Sequence, residues 1–194
     1  RNKTREEMLR LLTLLGMNHE QQHQELILAD VKHLLAQSPL NPRYAPAGPA
    51  WSTVQASPFP ASAPMWWRDF PGGLVEIGHD GDGFSYDNES PRHRQYLEPY
   101  QLASRLITNG EYLEFMNADG YHDPSCWLSE GWDWIKANEQ RHPLYWRSKD
   151  GGWREFTLVG LLPLDPNLPV IHISLFEADA YARWASARLP TEAE

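Results

Sequence analysis

The chain has 194 residues, 41% of them apolar, which is enough for one or two packed domains and too many for a disordered tail. A formal net charge of −9 argues against a nucleic-acid-binding face and against a polybasic membrane patch. The single cysteine, Cys126, excludes an internal disulfide and fits a reducing cytoplasm, and no apolar run approaches the length of a membrane span.

In chain order, the first expected element is a long helix over residues 4–37. Met8, Leu12, Leu15, His19, His23, Leu26 and Asp30 fall close to one line on its surface, and Leu11, Ile27 and Leu34 widen that stripe. Thr4 with Glu7 resembles a capping box, and Ser38-Pro39 ends the helix because a residue before proline is pushed out of the α region. An amphipathic helix this long needs partners for its apolar face, so other helices of a bundle are expected to cover it.

Residues 38–70 read as a linker, an extended strap rich in proline, with Met65-Trp66-Trp67 anchoring its end. From Pro71 the pattern changes. A strand is expected at Gly72–Gly78, a solvated turn-rich loop at 79–92, and a second strand from Arg94 to Leu102 broken by Pro99. Thr108 caps a helix near 109–118, with Tyr112, Leu113, Phe115 and Met116 on its apolar face. Residues 119–170 hold most of the Trp and Gly and promise short elements at best, with Gly151-Gly152 marking a hairpin turn before 153–157. Val170–Ile173 reads as a short strand, and Ser174 caps a last helix near 176–187. Nine Trp and 16 Pro suit a loop-rich domain pinned by large aromatics. The sequence starts at Arg1 and stops at Glu194 in mid-pattern, so a fragment cut at both ends is expected.

The chemistry concentrates in Asn18-His19-Glu20-Gln21-Gln22-His23-Gln24-Glu25. Two histidines four apart lie about 40° apart around a helix, one turn apart along it, so both imidazoles can reach one metal ion. Burying two unpaired imidazoles inside an apolar stripe is costly unless something bonds them, which favours a metal site over two core histidines. His19-Glu20-Gln21-Gln22-His23 formally matches the H-E-x-x-H pattern of zinc peptidases, in which Glu20 would activate a metal-bound water. The glutamines around it are unlike a peptidase helix, and Leu26 and Ala29 stand where the longer peptidase motif needs Gly and His. His33 lies about 15 Å beyond His23 along the axis and cannot join the same ion. A third ligand must come from another segment, and His79, His93, His122, His142 and His172 are all open to that role. Gln22 and Glu20 flank the pair, and the Gln22 amide, both donor and acceptor, suits a polar substrate. Asp80-Gly81-Asp82-Gly83 and the residues to Glu89 lack the twelve-residue calcium-loop pattern and read as a solvated loop, and Cys126 reads as structural.

The stretch Leu15–Leu26 resembles the metal-binding helix of the DinB-like domain in ergothioneine-biosynthesis sulfoxide synthases, the hercynine oxygenases. Gly72–Gly78, Asp87–His93, Thr108–Tyr112 and Arg188–Glu194 resemble the formylglycine-generating-enzyme/sulfatase-modifying domain, whose fold is related to C-type lectins. The resemblance implies an α+β chain in three parts. Residues 1–37 would be the C-terminal, metal-binding helix of a DinB-like four-helix bundle, 38–70 a linker, and 71–194 the first part of the C-type-lectin-like domain. It implies a cytoplasmic non-haem iron(II) oxygenase that uses dioxygen to join a cysteine-containing thiol, γ-glutamylcysteine or cysteine, to trimethylhistidine (hercynine) as a sulfoxide. It implies Fe(2+) held by His19, His23 and a third histidine outside this chain, with Gln22 facing the substrate imidazole. The family's catalytic tyrosine is expected beyond Glu194, so no catalytic residue is assigned within the chain. An ovothiol-type enzyme acting on histidine and an H-E-x-x-H zinc hydrolase are the alternatives, and the isolated piece is expected to be inactive.

Overall fold

The structure is a computed structural model that describes residues 4–46 and 64–194. The first element is a 32-residue helix, α1 (Arg5–Ala36), started by Thr4, whose hydroxyl accepts the Glu7 N–H at 3.3 Å, and ended at Gln37 just before Ser38-Pro39. About half of the strap expected over 38–70, residues 47–63, lies outside the described residues.

Among the described residues three small antiparallel sheets follow. Strand β1 (Trp67–Phe70) pairs with β4 (Tyr100–Ala103), and β2 (Gly73–Ile77) pairs with β3 (His93–Leu97). The run expected as one strand broken at Pro99 is therefore two strands with different partners, since a proline has no N–H to carry a ladder across it. Strand β1 lies within the residues expected to be linker. Its entry is held by the main chain, where Ser104 N–H donates to Trp66 O at 2.8 Å, and both Trp66 and Trp67 stay exposed rather than anchoring by burial. The loop at 79–92 is exposed apart from the half-buried His79, Phe84, Ser85 and Tyr86, and it carries a 3-10 turn at Asp87–Glu89. The third sheet is a meander of β5 (Trp146–Lys149), β6 (Gly152–Thr157) and β7 (Gly160–Pro163), and its first turn uses the positive φ of Asp150 and Gly151 as the Gly pair indicated.

Helices α2 (Asn109–Asn117), α3 (Ser129–Ala137) and α4 (Leu175–Trp184) complete the α+β architecture. Helix α3 stands where only short elements were expected. Its Ser-Glu-Gly-Trp start gives no cap signal, and Leu128 at the N-cap offers no side-chain bond. Gly131 sits so close to Phe176 that an added Cβ would meet its side chain at 2.7–2.9 Å, so this glycine is what lets α3 approach α4. The expected strand at Val170–Ile173 does not form. Beside it Thr108 bridges Pro169 and the Val170 N–H donates to Ile107 O at 3.0 Å, but His172 then turns to φ +59, which ends an extended run.

The core is aromatic. Tyr112, Phe115, Tyr121, Trp127, Trp146 and Tyr181 are buried together with Ile135 and Ala180. Two carboxylates organise its edges. Glu177 is buried, accepts the Tyr121 hydroxyl at 2.6 Å and closes the α4 capping box by accepting the Ser174 N–H at 2.7 Å. Glu111 closes the α2 capping box with Thr108 and takes a two-pronged bond from Arg105 at 2.8 Å on each oxygen. The Arg105 hydrogen bond, followed by the bonds from Thr108, holds the Glu111 carboxyl down to about 2.

A carboxylate with a depressed folded-state pKa contributes stability above its unfolded value and loses it as pH falls. Glu111→Gln is therefore expected to cost about 1–2 kcal/mol at pH 7. In urea unfolding the gap between wild type and variant should close as pH drops from about 4.5 towards about 2.

Candidate functional site

The middle of α1 is built from good helix formers, so the i, i+4 spacing of the two histidines becomes real proximity. The His19 and His23 rings meet edge to face, with centroids 4.5 Å apart and planes at 76°. Asn18 turns its amide back onto the helix, donating to Leu14 O at 2.9 Å, and stays out of the way. The nearest carboxylate oxygen, Glu20 Oε1, lies 4.0 Å from His19 Nδ1. Gln22 is exposed beside the pair and makes no side-chain hydrogen bond among the described residues. Two imidazoles at this separation suit a borderline metal ion such as iron or zinc, and the donor set by itself does not choose between them.

The stripe around the pair is uncovered among the described residues. Met8, Leu12, Leu15 and Leu26 are 51%, 60%, 43% and 58% exposed. An amphipathic helix with this much apolar surface in water is a face that requires covering. The burial expected for the histidines is thus not supplied by residues 64–194, and the His19 side chain is 57% exposed.

The remaining histidines are each committed elsewhere. His79 Nε2 lies 3.0 Å from Gly81 O, His93 Nδ1 3.0 Å from Pro91 O, and His122 Nδ1 2.6 Å from Asp119 Oδ1. His142 packs on Trp153, and His33 lies 3.3 Å from the Tyr145 hydroxyl. Among the described residues no group of three or more His, Cys, Asp or Glu side chains is placed to hold a metal ion, so none of the five candidates joins the pair. The Asp80–Glu89 loop gathers no such set either. Cys126 is buried, its thiol pushed up first by burial and then by Asp123, which fits a structural residue.

One charged cluster was not readable from spacing. Lys32 Nζ lies 2.7 Å from His172 Nε2, 3.9 Å from Glu155 Oε1 and 4.5 Å from the centroid of the Tyr145 ring. Its members come from α1, the end of the loop before β5, β6 and the loop before α4, and nothing in local periodicity joins them. A second feature is a groove of about 860 Å³ bordered by Tyr100, Leu102, Ile107, Tyr181 and Leu189.

The family model of the sulfatase-modifying factor enzyme 1-like domain matches residues 69–194. The chain is 35% identical over 185 residues to the hercynine oxygenase of Mycolicibacterium smegmatis, a match covering 93% of this chain and 40% of that protein. It is 39% identical over 110 residues to the hercynine oxygenase of Mycobacterium tuberculosis, covering 57% of this chain and 25% of that protein. It is 32% identical over 165 residues to the formylglycine-generating enzyme of Streptomyces coelicolor, covering 72% of this chain and 49% of that protein. The chain thus spans less than half the length of each of these relatives. The first match leaves out only 7% of the chain, so it has to run into α1.

Two helical imidazoles without a third ligand bind a divalent ion weakly and reversibly. Titration of the 194-residue chain with Ni(2+) should show such binding, lost in either His19→Ala or His23→Ala and kept in His79→Ala. Undiminished binding in both α1 variants would remove the pair from the metal site.

Proposed function

The chain belongs to the sulfatase-modifying factor enzyme 1-like family, and we propose that it is the central part of a hercynine-oxygenase-type sulfoxide synthase. The observation that carries this reading is the joining of two features in one chain. A helix presenting His19, Gln22 and His23 leads into the family domain, and the Mycolicibacterium smegmatis relative is matched across both. The reaction joins the sulfur of a cysteine-containing thiol to C2 of the trimethylhistidine imidazole. One atom of dioxygen ends on sulfur and the other leaves as water.

His19 and His23 are two of three protein ligands to iron(II), and the third comes from another helix of the bundle that covers the apolar stripe. When bound, the iron supplies open positions for the thiol and dioxygen beside three imidazoles. Covering Leu12, Leu15 and Leu26 excludes water from the pair, which strengthens every polar contact within the site. Gln22 is one residue from His23 and offers its amide to the substrate imidazole, accepting from its N–H or donating to its bare nitrogen. The protein acts on small molecules in the cytoplasm. No described helix is long and apolar enough to cross a membrane.

The test uses the full-length protein that carries this chain. Supplied with iron(II), dioxygen, trimethylhistidine and γ-glutamylcysteine or cysteine, it should form the C–S-linked sulfoxide, detected by mass spectrometry. Histidine offered in parallel should react more slowly. Gln22→Ala should raise the KM for the imidazole substrate up to about tenfold, the scale of one hydrogen bond. Absence of sulfoxide, together with amide hydrolysis that Glu20→Gln abolishes, would establish the zinc-hydrolase reading instead.

A further inference from the structure

Helix α1 is joined to the rest of the described chain at one end only. Its hydrogen bonds, ion pairs and ring contacts to other elements all come from residues 32–36. Leu35 and Ala36 pack in a small apolar cluster with Tyr145, Phe156 and Leu161, and Arg147 reaches Ala36 O at 3.5 Å. Beside this cluster the Lys32 ammonium, its side chain only 11% exposed, is enclosed by three different elements. The contacts are complementary in kind: a ring nitrogen that accepts, a carboxylate that neutralises, and an aromatic face that attracts a cation.

We propose that Lys32, clasped by His172, Glu155 and Tyr145, is a positioning residue that sets the tilt of α1 on the domain and thereby the place of the His19–His23 pair relative to it. The proposal rests on the sulfoxide-synthase reading for its catalytic consequence but not for its geometry.

Lys32 acts by leverage. Lys32 is nine residues beyond His23 and thirteen beyond His19, about 13 and 20 Å along the axis. A tilt of roughly 10° at the clasp moves the pair by roughly 2–3 Å. Nine residues also place Lys32 half a turn round the helix from His23, so the clasp and the histidine face use opposite sides of one rod. Removing the Lys32 charge therefore touches no metal ligand. An apolar cluster alone tolerates rocking, because dispersion is non-directional, whereas a charge held from three sides does not.

The partners are arranged to hold a cation. His172 sits at φ +59, and its carbonyl accepts the Leu144 N–H at 3.2 Å, which fixes the loop that aims its ring at Lys32. The ring also packs edge to face on Tyr145 at 4.6 Å, and Tyr145 meets His33 on its other contact with α1. Burial, and then the Lys32 charge, push His172 down to about 4, so at neutral pH the ring is uncharged and its Nε2, facing an ammonium that can only donate, accepts. Burial lowers Lys32 and raises Glu155, and each is opposed by the charge of the other. Without Lys32, Glu155 loses the charge that favours its ionised form, and burial raises its carboxyl unopposed.

The geometric test uses the full-length protein that carries this chain and reads distances by pulsed electron paramagnetic resonance between spin labels at Arg10→Cys and Glu130→Cys, both exposed, with Cys126 and any other cysteine replaced by alanine. The parent pair should give one narrow distance distribution. Lys32→Met, which keeps the apolar stem, should broaden and shift it, and Lys32→Arg should keep it narrow, with circular dichroism confirming that all three fold. An unchanged distribution in Lys32→Met would overturn the proposal. In the full-length protein, Lys32→Met should leave iron content unchanged and lower kcat/KM by up to about 100-fold, the cost of misplacing reacting groups by an ångström or more. Lys32→Arg should restore most of it. A loss of iron in Lys32→Met would instead make Lys32 a determinant of metal binding and contradict the positioning role. Should the full-length wild type form no sulfoxide, the functional reading fails while the label distances still decide the tilt.

Discussion

A 32-residue helix held at its last turn and a half is the constraint on which the rest of this chain depends. The apolar cluster of Leu35, Ala36, Tyr145, Phe156 and Leu161 supplies contact, and the Lys32 clasp supplies direction. Everything upstream of Lys32 projects away with its apolar stripe in solvent. That stripe carries the His19–His23 pair, so the element with the chemistry is also the one with least support among the described residues. A helix built this way draws its stability from whatever covers its apolar face, because intrinsic propensity alone holds so long an exposed segment weakly.

The domain that anchors the helix is organised by carboxylates as much as by its aromatic core. Glu177 ties the turn after α2 to the start of α4 through Tyr121, inside the cluster of Tyr112, Phe115 and Tyr181. Burial raises the hydroxyls of Tyr112 and Tyr121 well above the usual phenol range, so both stay protonated and serve as fixed donors. Glu111 does the corresponding work for α2 with Arg105 and Thr108. These bonds set the positions of α2 and α4, and the groove beside Tyr181 follows from their packing.

The sequence disclosed features governed by neighbours three or four residues apart. The caps at Thr4, Thr108 and Ser174 and the hairpin glycines were legible, because each rule is local and each signal lies within one turn. The His19–His23 pair was legible for the same reason. Elements set by distant partners were not. Strand β1 exists because β4 is there to pair with it, and helix α3 starts without a cap because Gly131 fits against Phe176 from α4. The run Val170–Ile173 has the composition of a strand, but the left-handed turn at His172 diverts it, and only the whole fold shows what that turn serves. The clasp joins Lys32 to His172 across 140 positions, a separation no periodicity can bridge. Its members looked like an ordinary surface lysine and an unassigned histidine.

The proposed function requires His19 and His23 to be iron ligands in the full-length protein. The direct measurement is metal analysis of that protein purified under anaerobic conditions after growth with iron and zinc both supplied. The account predicts close to one iron per chain in the wild type and little or none in His19→Ala and His23→Ala, with His172→Ala keeping its iron. Stoichiometric zinc in the wild type, or iron retained in both α1 variants, would contradict it.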